Sequence, residues 1–356
     1  MTKACEMNTL IVKVDENNID KEAIRKAGEI LKNGGLVAFP TETVYGLGGD
    51  ALNAASSAKI YAAKGRPSDN PLIIHINHRE DLKKIAVEIP EAAYTLAERY
   101  WPGPLTMILK KADCVPPETT GGLNTVAVRM PSHKTARALI EAAGGFVAAP
   151  SANRSGRPSP TLARYVKEDL DGRVDMIIDG GEVNIGLEST IIDLTGDAPV
   201  ILRPGYITEE MLRETLGQVS VDKALIDSNS KQAPKAPGMK YRHYAPMGSL
   251  TIVEGQAEKV VTYINERLAE AAAENIRTGV IATDETAPLY QGDSVKSAGA
   301  REDETSIAKH LFRILREFDD ENVRLIFAEA FDDKGMGQAI MNRLLKAAGH
   351  QVIRLK

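Results

Sequence analysis

Short apolar runs alternate along the chain with stretches whose apolar residues recur at helical spacing, and these two periods predict the elements. Leu10 to Val14 reads as a strand, and Lys21 to Asn33 as a helix with Ala23, Ala27, Ile30 and Leu31 on one face. Gly34-Gly35 ends that helix. Leu36 to Phe39 is too brief for another helix and reads as a buried strand that stops at Pro40. A loop is expected over Thr41 to Asp50, its glycines letting backbone approach a ligand, followed by a helix over Asn53 to Ala63 and a strand over Leu72 to Ile76. Helices are expected at Asp81 to Val87, Glu91 to Tyr100, His133 to Ala143 and Thr161 to Leu170, and strands at Leu105 to Leu109, Thr125 to Met130 and Phe146 to Ala149. Three more short strands, Met176 to Asp179, Ser189 to Leu194 and Val200 to Arg203, precede a helix over Ile207 to Leu216 capped by Thr208. Strands mixed so irregularly with helices predict an α+β or mixed-sheet domain.

The pattern then changes. Asp227 to Met247 is rich in polar residues and proline and reads as a linker, although Tyr241, His243 and Tyr244 with Lys240 and Arg242 are more than linker filling. Beyond it, strands at Leu250 to Val253, Thr278 to Ala282, Val323 to Ala328 and Gln351 to Leu355 alternate with helices at Ala257 to Asn275, Ser306 to Asp319 and Gly337 to Ala348. That regularity predicts a small parallel α/β sheet.

Composition narrows the class. At 356 residues and 43% hydrophobic content, two domains are the default. A net charge of -5 argues against a chain held electrostatically on nucleic acid. Cys5 and Cys114 are too few for a disulfide framework or a cysteine-rich zinc site, and no apolar run approaches the length of a membrane span, so a soluble cytoplasmic protein is expected.

Candidate chemistry gathers in loops and at strand ends. Lys64 and Arg66 stand in a stretch with Pro67 and Pro71, where a point charge and a planar fork could hold a polyphosphate, or could simply form a solvated basic turn. His75 shares a strand face with Ile73 and is either a satisfied core histidine or a site residue. Thr125 and Arg129 are four apart on one strand and share a face; an arginine there needs an anion, which could be a ligand or a structural carboxylate. Ser151, Asn153 and Ser159 sit in a second polar loop, and Arg203 is another cation at a strand end. Gly46, Gly48 and Ala51 match a dinucleotide fingerprint, but Thr41 to Tyr45 separate them from the preceding strand and no acidic residue closes a second strand, so that fingerprint is rejected. A Walker A sequence is absent.

Pro40-Thr41-Glu42-Thr43-Val44-Tyr45-Gly46-Leu47-Gly48, Lys64-x-Arg66, Ser151-Ala152-Asn153 and Lys240-Tyr241-Arg242-His243-Tyr244, in that order, resemble the threonylcarbamoyl-AMP synthases of the long, two-domain Sua5 type. The resemblance covers essentially the whole chain. It implies an α/β protein with a YrdC-like twisted mixed-sheet domain at 1–217, a linker at 218–247 and a smaller Rossmann-like parallel domain at 248–356. The implied reaction joins L-threonine, bicarbonate or CO2 and ATP into threonylcarbamoyl-AMP and pyrophosphate, for t6A modification of tRNA. Carried onto this sequence, the ATP set is Lys64, Arg66, Asn70, Thr125, Ser151, Asn153, Ser159, Arg203, Tyr241 and His243, with Lys64 and Arg66 catalytic. The threonine set is Thr43, His75, Arg129, the Ala149 backbone and Ser189. Mg2+ is expected with the ATP substrate, and the downstream threonylcarbamoyl-transfer machinery is an expected partner. Two rivals remain. One is a carbamoyl-adenylate former of the hydrogenase-maturation kind, whose zinc-binding cysteines are missing here. The other binds tRNA or double-stranded RNA without catalysis through Lys64, Arg66 and Arg129, and steeply salt-dependent affinity would mark it.

Overall fold

The apolar runs of the N-terminal half become strands of one sheet. In the computed structural model of the protein, residues 8–222 and 243–356 are described. The chain divides into two units, the first being Met1–Ser155, Pro160–Asn184 and Glu188–Lys240 and the second Gly156–Ser159, Ile185–Leu187 and Tyr241–Lys356. The elements of the first are β1 (Leu10–Lys13), α1 (Lys21–Lys32), β2 (Val37–Phe39), β3 (Gly46–Asp50), α2 (Ala54–Lys64), β4 (Ile73–Ile76), α3 (Leu82–Ile85), β5 (Ala86–Val87), α4 (Glu91–Tyr100), β6 (Leu105–Lys111), α5 (Pro117–Thr120), β7 (Thr125–Arg129), α6 (Lys134–Ala142), β8 (Phe146–Ala148), α7 (Ala163–Leu170), β9 (Met176–Asp179), β10 (Thr190–Asp193), β11 (Val200–Arg203), α8 (Glu209–Leu216) and β12 (Ser220–Val221).

Among the described residues these strands form a twelve-stranded mixed sheet in the order β1-β9-β2-β3-β8-β4-β7-β6-β10-β11-β12, with β5 alongside β6. Its register positions the site. Val147, His75, Arg129 and Thr106 fall in one row across β8, β4, β7 and β6, and Ile191 and Arg203 continue that row on β10 and β11. Residues paired across neighbouring strands point to the same face. The opposite face of the same strands carries Ile74, Val126, Val128, Met107 and Leu109, which join Ile60 of α2 and Leu96 of α4 in the main core. On the row's own face Ile73, Ile108, Ala127 and Ile191 form a separate small cluster, an apolar floor between the polar side chains.

Two expectations fail locally. The segment from Gly46 to Asp50 is β3, antiparallel to β2 and β8, rather than the end of a loop. Its glycines serve packing. A Cβ on Gly48 would lie 2.9 Å from Val147 Cγ1 and 3.0 Å from Phe39 Cε1. Asp81 to Val87 is not one helix but a short turn leading into α3 and the two-residue β5, which pairs with Lys110 and Lys111.

The second unit contains β13 (Ser249–Glu254), α9 (Ala257–Ala273), β14 (Thr278–Ala282), β15 (Ser294–Ser297), α10 (Glu304–Asp320), β16 (Leu325–Glu329), α11 (Gly335–Ala347) and β17 (Val352–Arg354). Among the described residues its five strands are all parallel, in the order β15-β14-β16-β13-β17. The fourth strand of the series lies between the first and second, which departs from the usual Rossmann order. Val253, Ile264, Leu268, Val280 and Phe327 belong to one core cluster on this sheet.

Candidate active site

α2 runs one residue further than the sequence predicts and ends on Lys64, with Gly65 in the left-handed conformation (φ 61°) as its cap. A Cβ on Gly65 would meet nothing within 4 Å, so backbone sign and not space favours glycine there. The cap sends the two cations along different paths. Lys64 is 3% exposed, and its Nζ donates to the carbonyls of Ser151 and Asn153 and, at 3.4 Å, to Asn153 Oδ1. Ser151 Oγ donates to the same Oδ1 at 2.5 Å. Arg66 donates from Nε and Nη2 to the Asn70 carbonyl, both at 3.3 Å, and from Nη2 to the Pro71 carbonyl at 3.2 Å. Asn70 is buried, and its Oδ1 has no hydrogen-bond partner. The loop after β8 therefore joins Lys64 to the sheet: Ala149 N donates to Ile73 O at 2.9 Å, and Ser151 bridges to Gly46.

The row across the sheet supplies the other end. His75 is buried, its Nδ1 lies 3.1 Å from Ile73 O, and Phe39 stands edge-on to the ring at 6.3 Å. Burial, helped by the adjacent Arg129 charge, pushes its pKa down to about 3 against the opposing pull of the Ile73 and Val147 backbone, so the ring is neutral at physiological pH. Thr106 Oγ1 and Ser189 Oγ are 2.7 Å apart. Arg203, also buried, donates from Nε to Ser189 O at 3.0 Å and from Nη2 to Ser189 Oγ at 3.2 Å. Thr43 sits in a loop tied together by Thr41, whose Oγ1 is 2.9 Å from Thr43 Oγ1 and donates to Val44 O at 2.6 Å.

Arg129 has a carboxylate neighbour after all. Its Nη2 lies 2.7 Å from Glu42 Oε1, with both side chains almost wholly buried. The approach has the distance of an ion pair without the angles of a hydrogen bond: both Glu42 oxygens, and Nε and Nη2 of Arg129, lack hydrogen-bond partners. Glu42 carried no role in the sequence analysis, and nothing local in Thr41-Glu42-Thr43 ties it to the strand arginine.

Thr43, Lys64, Arg66, Asn70, His75, Thr125, Arg129, Ala149, Ser151, Asn153, Ser189 and Arg203 all belong to the first unit. Ser159, fully buried, and His243 group with the second. Tyr241 and most of the expected linker lie outside the described residues, while Ser220 and Val221, at its start, pair with β11.

A family model described as "Telomere recombination" matches residues 29–205, and one described as "Threonylcarbamoyl-AMP synthase, C-terminal domain" matches residues 207–349. The chain is 50% identical to the threonylcarbamoyl-AMP synthase of Bacillus subtilis (strain 168), over 96% of its own length and 97% of that protein's. The chain belongs to the threonylcarbamoyl-AMP synthase family. A family member from Pyrococcus abyssi is 49% identical over 98% of this chain and 100% of its own. The crystal structure of P. abyssi Sua5 complexed with L-threonine superposes with a TM-score of 0.93 at 48% identity, covering 98% of this chain and 100% of that one. The two-domain build of this family accounts for both sheets. Of the three cations named for the RNA-surface alternative, Lys64 and Arg129 are buried at 3% and 4% exposure and only Arg66 is partly exposed, so the three form no shared basic surface.

Proposed function

We infer that this chain makes threonylcarbamoyl-AMP and pyrophosphate from L-threonine, bicarbonate or CO2 and ATP, the activating half of tRNA t6A synthesis. The observation that carries the chemistry is the buried row of His75, Arg129 and Thr106 with Ser189 and Arg203, flanked by the loop that holds Lys64. Such a place offers cations and hydroxyls over an apolar floor. The threonine ammonium first gives one proton to water; the neutral nitrogen then attacks the CO2 carbon and releases a second proton to water as the N–C bond forms, which leaves a carbamate anion that keeps one N–H. A carbamate oxygen then attacks the α-phosphorus, and pyrophosphate leaves with the electrons of the broken P–O bond.

A carbamate is already nucleophilic, so positioning and charge neutralisation matter more than a strong general base. Lys64 and Arg66 supply charge toward the phosphates, and Arg203 fixes Ser189 through two donors. His75 stays neutral and so adds no second positive charge beside Arg129. Mg2+ enters on the ATP phosphates as part of the substrate. Among the described residues no helix is long and apolar enough to cross a membrane. The cytoplasm, where ATP and tRNA meet, is the proposed compartment, which cell fractionation checks. Water destroys an acyl-adenylate, so a threonylcarbamoyl-transfer machinery must take the product promptly; adding that machinery and tRNA should yield t6A.

The test is pyrophosphate release with threonine, bicarbonate and Mg2+ each omitted in turn. Every omission should abolish release. Release that persists without threonine refutes the reaction, and release that persists without Mg2+ refutes only the metal's part.

A further inference from the structure

Glu42 and Arg129 make an unusual buried pair. Side by side and almost wholly buried, they approach to 2.7 Å, yet two carboxylate oxygens and two guanidinium nitrogens are left without hydrogen bonds. A purely structural ion pair in such a place is favourable only when its remaining donors and acceptors are satisfied, because two desolvated charges otherwise cost more than their attraction returns. The two neighbouring histidines do not fill the gap. His75, paired in register with Arg129, and His133, which feels the Glu42 charge, are both held below their ordinary pKa chiefly by burial, so both are neutral and offer no compensating charge. Neither charge can move away, since Arg129 is on a strand bonded on both sides and Glu42 sits between Thr41 and Thr43 in the loop that Thr41 ties down. The chain beyond that loop is fixed too: Tyr45 N donates to Pro160 O at 2.9 Å, and Ala152 N to Tyr45 O at 2.8 Å.

We propose that Glu42 binds the ammonium group of the amino-acid substrate while Arg129 takes its carboxylate, so that the pair recognises the zwitterion and not either charge alone. An α-amino acid carries its opposite charges on adjacent atoms, and it would satisfy the spare oxygens of Glu42 and the spare donors of Arg129 at once. This selects against ligands with a carboxylate but no amine. The contact lasts only while nitrogen is charged, so the pair that admits the amino acid releases that nitrogen once it has become a carbamate. The inference rests on the proposed function for the identity of the amino acid, threonine.

The experiment is calorimetric titration of the full chain with L-threonine and with (2S,3R)-2,3-dihydroxybutanoate, which replaces the ammonium with a hydroxyl. The wild type should bind threonine about 30-fold more tightly than the hydroxy acid, the scale of one hydrogen bond to a charged group. In Glu42→Gln the ratio should fall to about threefold or less, through weaker threonine binding with the hydroxy acid unchanged. Equal weakening of both ligands would mean that Glu42 only props Arg129, and overturns the proposal. Should the Gln variant fail to fold, equal affinity of the wild type for the two ligands overturns it without any variant. These are binding outcomes, so they are distinct from failure of the reaction itself, which wild-type pyrophosphate release reports.

Discussion

Replacing Lys64 with methionine keeps an unbranched stem of similar length and removes the ammonium. Two consequences separate cleanly. The Ser151 and Asn153 carbonyls lose a charged donor, and Asn153 Oδ1 loses its 3.4 Å contact. At about 1 to 3 kcal/mol for each of the two carbonyls that lose this donor, folding stability should fall by roughly 2 to 6 kcal/mol. If Lys64 also stabilises charge on the phosphates, the barrier should rise by about 2 to 4 kcal/mol, as for other preorganised donors. That corresponds to roughly a 30- to 1000-fold lower kcat at saturating substrates. Stability of the first unit can be followed by the chain's single tryptophan, Trp101, which is buried and donates from Nε1 to Leu105 O at 2.7 Å. The rate is pyrophosphate release per folded molecule. A destabilised Lys64→Met protein whose folded fraction turns over at the wild-type rate would reduce Lys64 to a loop anchor and refute its place in the chemistry.

Acid should weaken the fold through His75. Its folded pKa of about 3 lies below the ordinary 6.5, so between those values the unfolded chain binds a proton that the native chain does not. The contribution is whole above pH 6.5 and drains away as pH falls toward 3; from pH 7 to 4 the wild type should lose roughly 3 kcal/mol more than His75→Gln, measured as urea midpoints. Equal losses would place the histidine's burial in doubt. Gly205→Ala should destabilise by about 1 to 3 kcal/mol and raise the KM for threonine, because its Cβ would sit 2.6 Å from Thr190 N and 2.9 Å from Glu188 O, on either side of Ser189. An unchanged KM alongside lowered stability would show that Ser189 does not touch the amino acid.

The parts of the site carried by strand alternation were legible. Thr125 and Arg129 share a face as their spacing required, and His75 shares one with Ile73, because β4 and β7 lie inside the sheet with one face against the main core. β3 was not legible. Gly-Leu-Gly-Gly-Asp has none of the β-branched or aromatic residues that mark a strand, and only tertiary contacts, with Phe39 and Val147 at Gly48 and with Ile60 and Leu36 at Gly49, explain its glycines. β15, Ser-Val-Lys-Ser, was hidden because it is short and largely polar. The place of β16 between β14 and β13 is a matter of long-range pairing that no local period encodes. Glu42 was visible as a residue but not as a partner, since its meaning depends on Arg129, far away in sequence.

Because β7 is bonded to β4 on one side and to β6 on the other, it cannot creep along its own axis without turning every side chain to the wrong face. Thr125 and Arg129 are therefore graduations on a rigid ruler, roughly 13 Å apart by strand pitch. Whatever spans them must match that length. A set of ligands that reaches both ends has to fit a scale that does not stretch, and any adjustment falls to the loops at either end.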